Sequence, residues 1–338
     1  MLGSVRSGLM ALCLWCVPFV SAADTLPVLV ETDMGNDIDD ALALDLLYKA
    51  MDDGKIRILG IGNHKLTDTA SDYIDILNTW YGYPDIPVGK STTPIASADG
   101  VDYTAFVTQM KDDDGTHLFP RSKGSDRYED PVTMYRRLLA EQPDSSVVFV
   151  SLGFATELAK LLDSEPDSYS ALAGRDLVAR KVKFLSVMAG SYGEHKIAEF
   201  NVVKDIAAMR KVFEEWPTAI VQNPFEIGAS VLYPSSVIDG WCSAELNPVA
   251  EGYKVYSEMP YDRPAWDLLS VVYLTHPELF SESRLGTVSV DDSGFTCFDD
   301  GGTGRHTVLS ADGEQCRLLR EHIVRQAVRV AAYRQNRR

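Results

Sequence analysis

Acidic side chains are concentrated in one short stretch near the start of the chain. Residues 31–42 contain four aspartates within eight positions, Asp33, Asp37, Asp39 and Asp40. An apolar segment precedes them, and crowded carboxylates beside a dry strand repel one another and raise one another's pKa. A bound cation removes this conflict, and a ligand set made only of oxygen atoms favours Ca²⁺ or Mg²⁺ over Zn²⁺. The alternative interpretation is a solvated loop in which Asp39 or Asp40 caps the next helix.

The spacing of these carboxylates excludes an EF-hand loop. Counted from Asp33, such a loop needs glycine at its sixth position and glutamate at its twelfth, whereas Gly35 comes too early and Leu44 stands twelfth. The sequence also contains no Gly-rich phosphate loop and no Gly-x-Ser-x-Gly nucleophile motif. The formal net charge of the 338 residues is −17. We therefore expect neither nucleic acid nor an anionic membrane as a partner.

Alternating strand and helix patterns predict the scaffold that positions the acidic stretch. Apolar runs between turns predict strands, and helical periodicity predicts the segments between them. The predicted strands cover residues 26–32, 56–62, 147–152, 182–188 and 218–221, and the predicted helices cover residues 39–51, 71–81, 157–162 and 314–333. This alternation predicts an α/β fold with a mostly parallel sheet and helices on both faces. The acidic stretch lies where a strand ends and a helix begins, at the edge where parallel sheets bind ligands.

Two further segments have a different composition. Residues 91–130 are rich in Ser, Thr, Gly and Asp, which predicts a long loop over one edge of the sheet, of the kind that often serves as a lid. Residues 286–313 are predicted to form short strands and turns.

The N-terminus has the pattern of a cleavable signal peptide. Arg6 precedes an apolar run over residues 9–20, and small residues end at Ala22. We therefore expect residues 1–22 to be removed, residues 23–338 to form a single domain, and the protein to be secreted or periplasmic. The mature chain would keep Cys242, Cys297 and Cys316. In an oxidising compartment this odd count suggests one disulfide, and Cys297–Cys316 is the natural pairing to expect.

Five short motifs, taken in order, resemble the inosine–uridine preferring nucleoside hydrolase family. Members begin with a strand followed by Asp-x-Asp-Pro-Gly-x-Asp-Asp-Ala. This chain has Glu31-Thr-Asp33-Met-Gly35, two extra residues, and then Asp39-Asp40-Ala41. The later motifs are Gly62-Asn63 after the second strand, Leu152-Gly153 at the family's Thr-Gly turn, Ala198-Glu199-Phe200-Asn201, and a late aspartate at Asp267. The resemblance spans roughly residues 26–275 and implies the family's open α/β fold with a mixed sheet.

The resemblance also implies an activity and a set of site residues. It implies calcium-dependent hydrolysis of the N-glycosidic bond of ribonucleosides to ribose and free base, with a purine preference. The substrate would be a small molecule, and relatives are often homo-oligomers. The implied calcium ligands are Asp33, Asp40, Asp267 and the carbonyl of Leu152, and the residues implied to hold ribose hydroxyls are Asp39, Asn63, Glu199 and Asn201. Asp33 would be the general base that activates water.

Each of these residues also has a purely structural interpretation. Asn63 is typical of a turn, Glu199 and Asn201 of surface polar positions around Phe200, and Asp267 of a helix cap. Two wider alternatives also stay open: hydrolysis of another riboside, and calcium-dependent sugar binding without turnover.

The sequence departs from the family pattern at four places. Glu31 replaces the first aspartate, and the two extra residues bring in Asp37, which we expect to reach the metal or the groups around it. Gly193 stands where several members have a sugar-binding Asn, so Glu194 or His195 would have to compensate. Trp266 replaces a histidine that protonates the leaving base. Because indole has no proton to give at neutral pH, we expect Trp266 to stack on the base or to pack in the core.

Overall fold

A computed structural model of the chain describes residues 25–93, 102–124, 128–242 and 246–335. The signal peptide predicted over residues 1–22 lies outside these ranges. The strands of the described chain, β1 to β12 in order, are Leu26–Thr32, Ile56–Asn63, Val88–Lys90, Val147–Ser151, Val182–Met188, Ala219–Asn223, Leu232–Tyr233, Arg263–Pro264, Ser281–Glu282, Thr287–Val290, Thr296–Asp299 and His306–Ser310. Its helices, α1 to α14 in order, are Asp39–Asp52, Asp68–Tyr81, Tyr103–Gln109, Pro131–Ala140, Thr156–Asp163, Gly174–Lys181, Phe200–Lys204, Ile206–Glu215, Phe225–Ser230, Ser235–Cys242, Pro248–Tyr256, Trp266–Thr275, Gly313–Ala327 and Ala332–Gln335.

Eight strands form the central sheet, in the order β3-β2-β1-β4-β5-β6-β12-β9. All neighbours are parallel except β12 and β9, which are antiparallel, so the sheet is mixed and mostly parallel as predicted. The smaller pairs β10–β11 and β7–β8 are antiparallel. Strands β1, β4, β5 and β6 lie side by side, so their carboxyl ends form one continuous edge.

Side chains on the central strands alternate between two apolar cores, one on each face of the sheet. Val28 and Val30 of β1 belong to one core, which helices α1 and α12 cover. Leu29 between them belongs to the other core, which helices α4, α5 and α8 cover. Burial on both faces explains why these strands are continuously apolar in sequence.

Helix α1 is buried along almost its whole length, as its apolar sequence predicts. Asp45 and Lys49, four positions apart, form an ion pair at 2.8 Å, and both side chains are almost fully buried. Lys49 also donates to the carbonyl of Ala327 at 2.8 Å, and the hydroxyl of Tyr81 donates to Asp45. These extra hydrogen bonds are what a buried ion pair needs to offset its desolvation.

The structure corrects the prediction of one long loop over residues 91–130. The described part of this segment contains helix α3, whose first backbone N–H groups are capped by Asp102, which accepts from Ala105 at 2.9 Å. Tyr103 and Val107 of this helix are fully buried. The helix has only seven residues, too few to show a clear helical period within the polar segment around it.

The C-terminal part contains the short strands predicted over residues 286–313, but its final helix differs from the prediction. Strand β12 adds to the main sheet beside β6, and the predicted final helix is divided into α13 and α14. The disulfide expected between Cys297 and Cys316 is wrong, because both are free thiols in the described chain. Cys297 is exposed on strand β11, whereas Cys316 is half-buried in the first turn of α13. None of the described helices is long and apolar enough to cross a membrane.

Candidate active site

The loop between β1 and α1 carries the acidic stretch to the carboxyl edge of the sheet. Gly35 has φ +99°, a left-handed conformation that favours glycine. The backbone N–H of Gly35 donates to the Tyr103 hydroxyl at 3.1 Å, and that hydroxyl donates to the carbonyl of Asp37 at 2.8 Å. Helix α3 therefore holds this loop from outside.

Three buried carboxylates meet where α1 and α12 begin. Asp39, Asp40 and Asp267 each place a carboxylate oxygen within 4.8 Å of the others. The backbone N–H of Asp267 donates to Asp39 Oδ2 at 3.1 Å, and the Thr32 hydroxyl donates to Asp40 Oδ1. Burial raises the pKa of all three carboxyls well above the ordinary value, and neighbouring carboxylates raise each further. Asp40 Oδ2 is buried without a hydrogen-bond partner. Three buried carboxylates this close together form an oxygen-only donor set of the kind that binds a hard divalent cation.

Asp33 lies beside this cluster. Its carboxylate accepts a hydrogen bond from Asn36 Nδ2 at 2.5 Å, and burial raises its pKa. Its charge contributes to the raised pKa values of Asp40 and Asp267. Gly153, at the end of β4, packs so closely that a Cβ there would lie 2.8 Å from the backbone nitrogen of Asp33. The glycine thus lets the first and fourth strand ends come together.

Glu199 and Asn201 reach the same region from the segment after β5. The Glu199 carboxylate caps α7, accepting backbone hydrogen bonds from Asn201 at 3.0 Å, Gly190 at 3.2 Å and Val202 at 3.3 Å. Burial raises the pKa of Glu199 to about 7. The Asn201 amide donates to the carbonyls of Leu152 at 3.0 Å and Met188 at 3.1 Å. These bonds tie the ends of β4 and β5 to one another.

A cavity of about 480 Å³ opens over these groups. Of the site residues predicted from the sequence, those that line it are Asp33, Asp39, Asp40, Leu152, Glu199, Asn201, Trp266 and Asp267. Asn63 is not among the described lining residues. Its amide donates to the carbonyl of Lys65 at 3.1 Å and to Ser71 Oγ at 3.0 Å, and its side chain is fully buried. In the described chain these hydrogen bonds hold the turn before α2, and ribose binding by Asn63 stays a prediction.

An aromatic wall forms one side of the cavity. Trp266 stacks on Phe225, with ring centroids 5.4 Å apart, and its indole N–H donates to the Phe225 carbonyl at 3.1 Å. Tyr256 and Phe200 also line the cavity. Phe225 and Tyr256 were not predicted as site residues. The position of Phe225 just after β6 is the one signal that could have identified it, because that strand ends at the ligand-binding edge.

Comparison with known proteins decides the family. The family model described as "Inosine-uridine preferring nucleoside hydrolase" matches residues 28–330. The chain belongs to this family. The match continues past residue 275, where the resemblance carried by the motifs ends. Because the chain belongs to this family, it is a ribonucleoside N-glycosidase.

Solved structures share the fold of this nucleoside hydrolase at low sequence identity. A plant nucleoside hydrolase is 18% identical with TM-score 0.67, covering 88% of this chain and 99% of that one. An inosine-uridine preferring nucleoside hydrolase from Bacillus anthracis is 17% identical with TM-score 0.66, covering 90% and 100%. A purine-preferring ribonucleoside hydrolase from Gardnerella vaginalis is 16% identical with TM-score 0.66, covering 89% and 99%. Among curated proteins no sequence match is found.

The departures from the family pattern have structural explanations. Glu31 is fully buried, 3.3 Å from His64 Nε2, and is not among the described lining residues of the cavity. The backbone N–H of Gly193 donates to Glu226 Oε1 at 2.7 Å, and a Cβ there would lie 3.0 Å from the same oxygen. Glycine thus lets Glu226 hold this loop.

Glu194 and His195 are both exposed, and neither is among the described residues that line the cavity. Asp37 lines the cavity but forms an ion pair with Arg263 rather than joining the three-carboxylate cluster.

Proposed function

We propose that this nucleoside hydrolase uses calcium to cleave the N-glycosidic bond of ribonucleosides, and that it prefers purines. The observation that carries the proposal is the buried cluster of Asp39, Asp40 and Asp267, which brings together carboxylates more than 220 positions apart in sequence. Three mutually repelling carboxylates that are buried without a cation would each carry a large desolvation penalty.

The chemistry of the donor set supports a hard cation. Asp40 Oδ2 has no protein partner, and the surrounding donors are oxygen atoms, which suit Ca²⁺. Following the family resemblance, we assign the ion to Asp33, Asp40, Asp267 and the carbonyl of Leu152, and we place Asp39, the third member of the carboxylate cluster, beside the ribose. When bound, the cation supplies positive charge that lowers the pKa of water and attracts hydroxyl oxygens.

Asp39, Glu199 and Asn201 are proposed to hold the ribose hydroxyls. A carboxylate offers about four lone-pair sites. The Glu199 carboxylate already accepts three backbone hydrogen bonds, so it keeps capacity for one more donor. Because those backbone bonds also orient it, a hydroxyl bound there would be held in a defined position.

Asp33 is proposed to take a proton from the attacking water. The water oxygen bonds to C1′ while the bond from C1′ to the base nitrogen breaks, and its electrons leave with the base. The base nitrogen then takes a proton from solvent, so the products are ribose and neutral base. Positive charge develops on the ribose ring during this step, and the carboxylates that line the cavity stabilise it.

The aromatic wall supports the purine preference. A larger fused base gains more from contact with Trp266 and its neighbours than a pyrimidine does. Stacking on Trp266 would take the place of the missing histidine by holding the base where solvent can protonate it.

Release of reducing sugar from a nucleoside panel tests the proposal. Purified mature protein should release ribose from inosine and adenosine faster than from uridine and cytidine. A chelator should stop release, and added Ca²⁺ should restore it. Release that continues in chelator would contradict the metal assignment, and release from other ribosides only would identify the alternative substrate class.

Secretion is part of the same proposal. It rests on the charged and apolar pattern of residues 1–22. N-terminal sequencing of the protein exported by its host should start at Ala23, and retention of the first 22 residues would contradict it. Light scattering of the mature protein would decide whether it is a homo-oligomer.

A further inference from the structure

The two-residue insertion in the front loop connects this loop to a distant part of the chain. Arg263 Nε donates to Asp37 Oδ1 at 2.8 Å, and its Nη2 donates to Oδ2. The side chains are only 22% and 25% exposed, respectively. A two-point Arg–carboxylate pair fixes orientation as well as distance, and partial burial weakens screening by salt.

Arg263 in turn contacts the aromatic wall. Its guanidinium carbon lies 5.1 Å from the ring centroid of Tyr256 and 5.2 Å from that of Trp266. Both rings line the cavity. Cation–π contacts at these distances are favourable, and a desolvated cation strengthens them. The ion pair and the ring contacts therefore form one chain of interactions from Asp37 to the wall.

We propose that Asp37 and Arg263 are positioning residues that set the aromatic wall at the correct distance from the acidic cluster. The inference rests on the proposed function, since it identifies this wall as the place where the leaving base lies. Asp37 belongs to the loop that carries Asp33, whereas Arg263 is three residues before Trp266. Their pair thus fixes the two halves of the site relative to one another.

Two substrates with different leaving groups separate this role from a general effect on folding. A purine nucleoside needs the wall, whereas p-nitrophenyl β-ribofuranoside has an acidic phenol as its leaving group and depends on the ribose end alone. Asp37→Asn and Arg263→Gln should each lower kcat/KM for inosine about tenfold to a hundredfold, since misplacement of about 1 Å can lower the rate that much. For the nitrophenyl riboside Arg263→Gln should change it less than about threefold. Asp37→Asn is compared on inosine only, because the Asp37 carboxylate also accepts from the backbone N–H of Asp39 at 3.3 Å, at the ribose end. Equal loss on both substrates, or no loss on inosine, would overturn the proposal.

The chain offers a matched control pair. Arg329 donates to both oxygens of Asp53, at 2.7 Å and 2.9 Å, with side chains 36% and 28% exposed. Neither residue lines the cavity. Asp53→Asn should leave kcat/KM unchanged for both substrates. If it lowers the inosine rate as Asp37→Asn does, the effect belongs to ion pairs in general and the proposal fails.

Thermal unfolding supplies a readout that does not need activity. If Asp37 and Arg263 act on each other, the double variant should lower the Tm no more than the more damaging single variant. Additive losses would overturn the pairing even if the wild type cleaved neither substrate. A wild type that cleaves neither substrate would contradict the proposed function, whereas additive losses of Tm would contradict the pairing of Asp37 with Arg263. The two results are therefore distinguishable.

Discussion

Gly153→Ala should displace the proposed catalytic base without removing any functional group. The Cβ of the new alanine would lie 2.8 Å from Asp33 N, 2.9 Å from its Cβ and 3.0 Å from its Oδ1. Ordinary contact begins at about 3.4 Å, so the two strand ends must separate by roughly 0.6 Å. Gly153 is not among the glycines with positive φ, so the substitution adds no backbone strain of its own.

The expected cost follows from this displacement. Overpacking a tight contact lowers the free energy of unfolding by about 1–3 kcal/mol. A loss of that size lowers the Tm by several degrees in a domain of this size. Because misplacement of about 1 Å can lower a rate roughly a hundredfold, we expect kcat to fall about tenfold to a hundredfold.

The assay compares kcat and KM for inosine with the Tm of the same preparations. Gly313→Ala is the matched control, because a Cβ there would meet nothing within 4 Å and Gly313 lies in the first turn of α13. It should leave both quantities close to wild type. Full activity in Gly153→Ala with an unchanged Tm would refute the reasoning that Asp33 is held in place by close packing against this glycine.

Four other predictions test the site. Asp33→Asn should lower kcat by about 10²–10⁴ while circular dichroism stays native, because it removes the proposed base; near-normal turnover would contradict that role. Inosine should exceed 2′-deoxyinosine in kcat/KM by at least about tenfold if the 2′-hydroxyl is bound by charged groups, and equal rates would refute this contact. Calcium at a hundred times its Kd should stabilise the wild type and Asp53→Asn by about 2.7 kcal/mol, whereas Asp40→Asn should not respond; an equal rise in Tm for Asp40→Asn would exclude it as a ligand. Burial raises the pKa of Glu199 from 4.5 to about 7, so the folded chain binds the proton of this carboxyl more tightly than the unfolded chain does. The measurement is made in chelator. The contribution of Glu199 to stability should fall as pH rises from 4.5 to about 7, and Glu199→Gln should flatten the measured slope by up to about 1.4 kcal/mol per pH unit; identical slopes would show that Glu199 does not titrate in this range.

Some interactions of the site could not be predicted because they join distant parts of the chain through side chains alone. Asp37 and Arg263 are 226 positions apart, and no local pattern in either segment indicates the other. Glu226 accepts from Ser191 Oγ at 2.7 Å and from the backbone of Tyr192 at 2.8 Å, which orders the loop before Glu199. The sequence indicated only that Gly193 was unusual.

Local sequence was sufficient for the central strands and for the position of the acidic stretch. Strands β1 and β5 have the predicted bounds, because burial on both faces makes a parallel strand continuously apolar. The polar residues between β1 and α1 follow the end of a parallel strand, so they lie at the carboxyl edge of the sheet whatever the strand order is. The motifs then identified the family without any coordinates.

Only the tertiary structure decided which polar groups share a space. Asn63 is the last residue of β2, and its amide donates to Lys65 and Ser71 in the turn before α2, partners that no local pattern predicted. Asp37 is acidic like its neighbours, but Arg263 holds it in an ion pair. Sequence periodicity reports which face of an element is buried, whereas the partner of a buried polar group depends on how distant elements pack.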